Sequence, residues 1–168
     1  VGNLTLSVDL PKQFRGTHMS RLVEVVFKWS QKPISGHELK LILEQIRSRL
    51  NAARAHATIK FKYFLEKQAP VSKSVSALDY DCEFTGILSD DGFDFILGVE
   101  VPITALCPCS KEISNAGAHN QRGVIRARIR YDREVFYWIE DLVRQLEEAA
   151  SCDIYPLLKR RDEKYVTE

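Results

Sequence analysis

Two long runs of alternating apolar residues meet at Ser89-Asp90-Asp91-Gly92, and this junction restricts the fold more tightly than any other feature of the chain. Leu78, Tyr80, Cys82 and Phe84 alternate with polar residues before it, and Phe93, Phe95, Leu97, Val99 and Val101 alternate after it. A period of two assigns successive side chains to opposite faces of a strand. A short Asp-Gly turn between two such runs makes them antiparallel hairpin partners. Ile59, Phe61, Tyr63 and Leu65 supply an earlier strand, and Leu4, Leu6, Val8 and Leu10 supply one near the start, ended by Pro11. Val23, Val25, Phe27 and Trp29 also alternate and read as a second strand.

Helical spacing replaces this period at two places. Ser35-Gly36-His37-Glu38 is a capping box, and Leu39, Ile42, Leu43, Ile46 and Leu50 follow along one face. Arg47, Arg49 and Arg54 read as solvated, and His37 and His56 as chemically idle. Farther on, Ile125, Ala127, Ile129 and Tyr131 form a strand whose other face carries Arg126, Arg128 and Arg130, a solvated or salt-bridged set. Asp132 is a candidate N-cap for a helix with Val135, Ile139, Leu142, Val143 and Leu146 on its buried side, while Arg144, Glu147 and Glu148 lie away from that stripe. Ser151–Asp153 ends this helix or begins a turn. Pro156 prevents simple continuation, and Asp162 is placed to cap a final helix through Glu168.

These elements predict an α+β chain with an internally repeated unit of two strands, a helical segment and two strands, the second copy lacking its closing strands. The 168 residues are enough for one core or two small packed units. Lys+Arg number 24 and Asp+Glu 23, a balance that argues against nucleic acid as partner. No run of 18 apolar residues is present, so no membrane partner is expected. Four unevenly spaced cysteines and the lack of a secretory signal after Val1 read as a reducing, cytoplasmic setting.

The candidate chemistry lies in Leu106–Arg122, LCPCSKEISNAGAHNQR, between one strand pattern and the next. Cys107 and Cys109 flank Pro108. In an extended backbone they would point the same way, so both sulfurs could face one pocket. Thiolates and imidazoles are usual ligands of zinc and its neighbours. The bare spacing also suits a pair of small buried hydrophobes or a redox pair, although a mutual disulfide would strain so tight a loop. His119 follows ten residues after Cys109. Earlier, Arg15–Arg21 places His18, Arg15 and Arg21 where they either meet phosphate oxygens or form a solvated turn.

CPCSKEIS followed by GAHNQR resembles the signature of GTP cyclohydrolase type IB, and LPKQFRGTHMSR at Leu10–Arg21 and SCDIYPLLKRRDEKYVTE at Ser151–Glu168 resemble the same family in the same order. The resemblance implies the tunnelling fold (T-fold), with tandem antiparallel-sheet and helix units: residues 1–105 form the first, and 106–168 the active-site loop and the start of the second. It implies a homotetramer with active sites at subunit interfaces, and a chain that continues beyond Glu168. It implies hydrolysis of GTP at C8 to formate and 7,8-dihydroneopterin triphosphate, serving folate and related pterin or deazapurine synthesis, with a divalent metal (Zn, Mn or Fe) as cofactor. Carried over residue by residue, Cys107 is a metal ligand, Cys109 a second active-site cysteine, His119 the proton-transfer residue and Glu168 the guanine anchor. Asp153 stands where the family usually has a metal-holding Glu, one methylene longer. His18, Arg21, Lys111 and Arg122 are candidate triphosphate contacts.

Overall fold

The computed structural model describes residues 2–9, 19–113, 121–131 and 137–167, apart from the side chains of Ser110, Lys111 and Thr167. In chain order the elements are β1 (Gly2–Val8), α1 (Met19–Trp29), α2 (Gly36–Leu50), β2 (Ala55–Gln68), β3 (Val75–Ser89), β4 (Gly92–Ala105), α3 (Pro108–Ile113), β5 (Gln121–Arg130), α4 (Ile139–Glu148), β6 (Cys152–Asp153) and α5 (Arg160–Thr167). The sheet runs β1-β2-β3-β4-β5, with β6 also paired to β4. β1 and β2 are antiparallel, with Leu4 opposite Ile59 and Leu6 opposite Ala57. The connections β2–β3 and β3–β4 are far too short for the crossover a parallel pair needs, so these neighbours are antiparallel hairpins. The α+β class expected from the sequence is therefore the class observed. No helix among the described residues is long and apolar enough to cross a membrane.

One expected element is of the wrong type. The run Val23, Val25, Phe27, Trp29, read as a strand, lies in α1. Leu22, Val25 and Trp29 recur at helical spacing in the same residues, and these are the ones that become buried, whereas Val23 and Phe27 stay 65% and 77% exposed. The segment satisfies both periods locally, and burial against α2 selects the helix. α2 starts as expected: the Ser35 hydroxyl accepts from the His37 amide, and Glu38 reaches back to the Ser35 amide at 3.0 Å. It ends at Asn51, whose positive φ of 49° suits an asparagine C-terminal cap. α4 is entered at Trp138 without a side-chain cap, and the proposed cap Asp132 lies outside the described residues.

Two compact units are recognisable, each drawn from separated segments. The first comprises Val1–Phe61, Glu83–Gly98 and Arg128–Glu134. Its core joins Leu22, Val25 and Trp29 of α1 to Leu39, Ile42, Leu43, Ile46 and Leu50 of α2, above Ala55, Ala57 and Leu88 of the sheet. Phe84 continues this face with Phe61 at 4.7 Å and Phe95 at 5.3 Å between ring centroids. The second comprises Lys62–Cys82, Val99–Ala127 and Val135–Glu168, and buries Tyr80, Cys82, Val99 and Val101 together with Ile139, Leu142 and Val143 of α4.

Two of the three arginines expected on one face of β5 form salt bridges. Arg126 pairs with Glu100 at 3.0 Å, and Arg128 reaches Glu83 at 3.0 Å past Gly98, where a side chain would stand 3.3 Å from the Glu83 Cβ. Such exposed pairs contribute little to stability. Gly86 matters more. A Cβ there would lie 2.9 Å from Leu39 Cδ2 and 3.1 Å from Leu43 Cδ1, both on fully buried side chains, so its absence lets α2 settle on the sheet. Gly86→Ala is therefore expected to destabilise the protein by about 1–3 kcal/mol through overpacking, read as a lower urea midpoint at unchanged slope.

Candidate active site

β4 delivers the candidate stretch. It ends at Ala105, two residues before Cys107, and the chain turns helical at Pro108. Proline suits the first position of a helix because its φ is already helical and no amide is lost. This corrects the extended geometry considered for the two thiols: Cys109 lies in the first turn of α3 and is exposed, while Cys107 precedes the helix and is half-buried. None of the four cysteines forms a disulfide. Cys82 is inert by environment, its thiol pushed up to about 12 by burial and then by the nearby Asp81 carboxylate.

Asp153 reaches the same end of β4 through β6. Asp153 pairs with Ile103 and Cys152 with Thr104, and the Thr104 hydroxyl donates to the Cys152 carbonyl at 3.1 Å. A residue 46 positions beyond Cys107 in the chain is thus held beside a strand residue four positions ahead of it. Asp153 and Arg122, at the start of β5, line one pocket of about 280 Å³ with Thr104, Tyr155, Leu158 and Val166. Two residues singled out from sequence are brought together here.

The Asp153 carboxylate does not stand alone. Lys67 Nζ lies 3.1 Å from its Oδ2 and 2.6 Å from Glu147 Oε2. Glu147 also accepts from the Tyr80 hydroxyl at 2.8 Å. Lys67 stands 5.7 Å from the centre of the Tyr155 ring. The side chains of Lys67 and Glu147 are only 12% and 8% exposed, so this is a buried ion network. Burial, and then the Glu147 carboxylate, raises the Tyr80 phenol well above its usual range, while burial followed by the Asp153 charge pushes Tyr155 up to about 12. A hydrogen bond to Glu140, reinforced by burial, holds Tyr63 at about 12. All three phenols are neutral at pH 7.

Sequence reasoning missed this network and misplaced Glu147, which was set outside the buried stripe of α4. The signals were present. Glu147 stands four residues after Val143 and eight after Ile139, on the same face. Lys67 continues the series Ile59, Phe61, Tyr63, Leu65, so a lysine was written onto the apolar side of β2.

Asp162 was expected to cap the final helix but is the third residue of α5, and its carboxylate reaches back to the helix start. Its Oδ2 accepts the Lys159 amide at 2.7 Å at the start of α5, and its Oδ1 accepts the amides of Val71 and Ser72 at 2.9 and 2.7 Å. Burial pushes this carboxyl up, but the hydrogen bonds from Ser72, Lys159 and Val71 together outweigh it and hold the group well below the usual carboxylate range. A carboxyl lowered on folding contributes stability that is present above about pH 4 and is lost as the pH falls toward the folded-state value.

Two of the remaining candidates lie on helices. Arg21 belongs to the first unit, on α1, where its guanidinium donates to the Arg49 carbonyl at 2.8 Å. Lys111 lies within α3. His18, His119 and Glu168 lie outside the described residues. Among the described residues no group of three or more His, Cys, Asp and Glu side chains is placed to hold a metal. The thiol of Cys107 and the carboxylate of Asp153 are donor types that suit a divalent cation.

The family model described as type I GTP cyclohydrolase folE2 matches residues 1–168. A GTP cyclohydrolase FolE2 of Pelobacter propionicus is 51% identical over 168 residues, covering 100% of this chain and 64% of the relative. One of Geobacter sp. (strain M21) is 49% identical over 168 residues, covering 100% and 61%. One of Syntrophus aciditrophicus is 48% identical over 166 residues, covering 99% and 64%. The chain spans a little over three fifths of the length of these curated relatives.

Removing Lys67 would leave two carboxylates without their shared cation. Breaking a buried pair from one side costs about 3–5 kcal/mol, and Lys67→Met is expected to show a loss of this size in urea denaturation at pH 7. A loss under about 1 kcal/mol would mean that the network is solvated like a surface pair.

Proposed function

The chain belongs to the type I GTP cyclohydrolase folE2 family, and on that premise we propose that the protein hydrolyses GTP to formate and 7,8-dihydroneopterin triphosphate. The observation that carries this reading is identity near one half to these relatives over an alignment that spans the whole chain.

The reaction makes demands that these residues can meet. Water must attack C8 of the guanine near neutral pH, and ring nitrogens must take up protons as C–N bonds break. Cys107 and Asp153 are assigned to hold a divalent metal, zinc, manganese or iron, which when bound supplies the Lewis acidity that makes water nucleophilic near pH 7. His119 is assigned the proton transfer, since an imidazole titrates in the right range, and Cys109 a place beside the metal rather than on it. Glu168 is assigned to accept the N–H donors of the guanine edge. Arg122, Lys111, His18 and Arg21 are assigned to the polyanionic triphosphate, for which guanidinium and ammonium donors are suited. The position of Arg122 in one pocket with Asp153 supports placing the triphosphate near the metal-holding carboxylate.

The reading extends to a T-fold, with residues 1–105 as a first unit and 106–168 as the active-site loop and start of a second, to a cytoplasmic homotetramer, and to a product used in folate-type synthesis. It is tested by assaying formate release from GTP by the full-length protein after chelation, with metals added back singly. Formate is expected only with a divalent metal, and phosphorus NMR is expected to show an intact triphosphate. A cyclic phosphate product would indicate the archaeal-type reaction, GTP binding without formate a non-catalytic scaffold, and full activity after chelation no metal role. Cys107→Ala is expected to abolish turnover while the circular dichroism spectrum is unchanged, and a near-normal rate would move the ligand role elsewhere.

A further inference from the structure

α5 forms one wall of the pocket that holds Arg122 and Asp153, through Val166, and Leu158 just ahead of the helix adds to the same wall. The helix is short, eight residues, and highly polar, with only Asp162 among its described side chains fully buried. Helices of this length are marginal without tertiary support. Its position must therefore come from a specific anchor, and the Asp162 carboxylate is placed to be one. It is 0% exposed and accepts three backbone amides, one at the helix start and two from the turn between β2 and β3. A charged acceptor on backbone amides is short and directional, unlike an apolar contact that tolerates sliding.

We propose that Asp162 is a positioning residue for nucleotide binding, its carboxylate clamping the start of α5 to the Val71–Ser72 turn so that the helix holds its wall of the Arg122–Asp153 pocket. This deepens the cyclohydrolase reading and rests on it for the identity of the ligand. Asp162 is fully buried and acts through the placement of Val166.

Asp162→Asn keeps the size of the side chain but turns one acceptor into a donor that faces an amide. In the full-length protein this variant is expected to raise the KM for GTP about tenfold or more while kcat for formate release changes less than about threefold. A lowered Tm with KM within twofold of wild type would make Asp162 merely structural and overturn the proposal, as would a fall in kcat alone. A second measurement needs no variant. Coupling between sites is reciprocal, so GTP is expected to slow amide hydrogen exchange at Val71 and Ser72 in the wild type, and unchanged exchange at saturating GTP would overturn the clamp. Wild-type protein that binds GTP without releasing formate would sink the cyclohydrolase reading alone, and Asp162 would then be judged on GTP affinity and amide exchange. Wild-type protein that does not bind GTP would sink both.

Discussion

The hydrogen-bonding edges of β4 are the constraint on which the rest depends. This strand pairs with β3, β5 and the two-residue β6, and it ends two residues before Cys107. A backbone amide or carbonyl left unpaired in a buried sheet is costly, so each neighbour is held in one register rather than several. Through β6 that register places Asp153, and through β5 it places Arg122, at the end of the strand that leads to Cys107. Residues spread over much of the second half of the chain thereby converge without needing any direct contact with one another.

Buried charge then refines what pairing begins. In the second unit Lys67 spans Glu147 of α4 and Asp153 of β6, and Tyr80 completes the acceptors of Glu147. Apolar packing of Ile139, Leu142 and Val143 supplies most of the driving force for docking α4. It leaves the helix free to shift, whereas an ion pair in a poorly solvated setting has a much narrower optimum. Asp162 plays a comparable part for α5, with three backbone amides in place of an ammonium. The first unit is organised differently: two helices are held by an aliphatic core, and a missing Cβ at Gly86 admits Leu39 and Leu43.

How far the site was legible follows from these differences. Cys107, Arg122 and Asp153 stood out because their residue types carry chemistry and their neighbours match a known pattern. Lys67 and Glu147 did not, although each breaks an apolar series, because a charged residue on a buried face has no meaning until its partner is known. These two lie 80 positions apart, and nothing local links them. The segment Met19–Trp29 failed for the opposite reason. Its residues fit both a strand and a helix, and the choice depended on α2 being available to cover Leu22, Val25 and Trp29.

By itself the sequence determined the elements whose signals are local: the β3–β4 hairpin at Ser89–Gly92, the capped start of α2, the alternation of β2 and β5, and the family signature around Cys107. Each depends on residues within a few positions of one another, where backbone sterics and side-chain period suffice. Only the tertiary structure decided that Val23–Trp29 is helical, that Glu147 faces inward onto Lys67 and Tyr80, that Asp153 stands beside β4, and that Asp162 joins α5 to the Val71–Ser72 turn. Those outcomes depend on burial and on pairing between distant segments, and the cost of an unpaired charge or amide is felt only once water has been excluded.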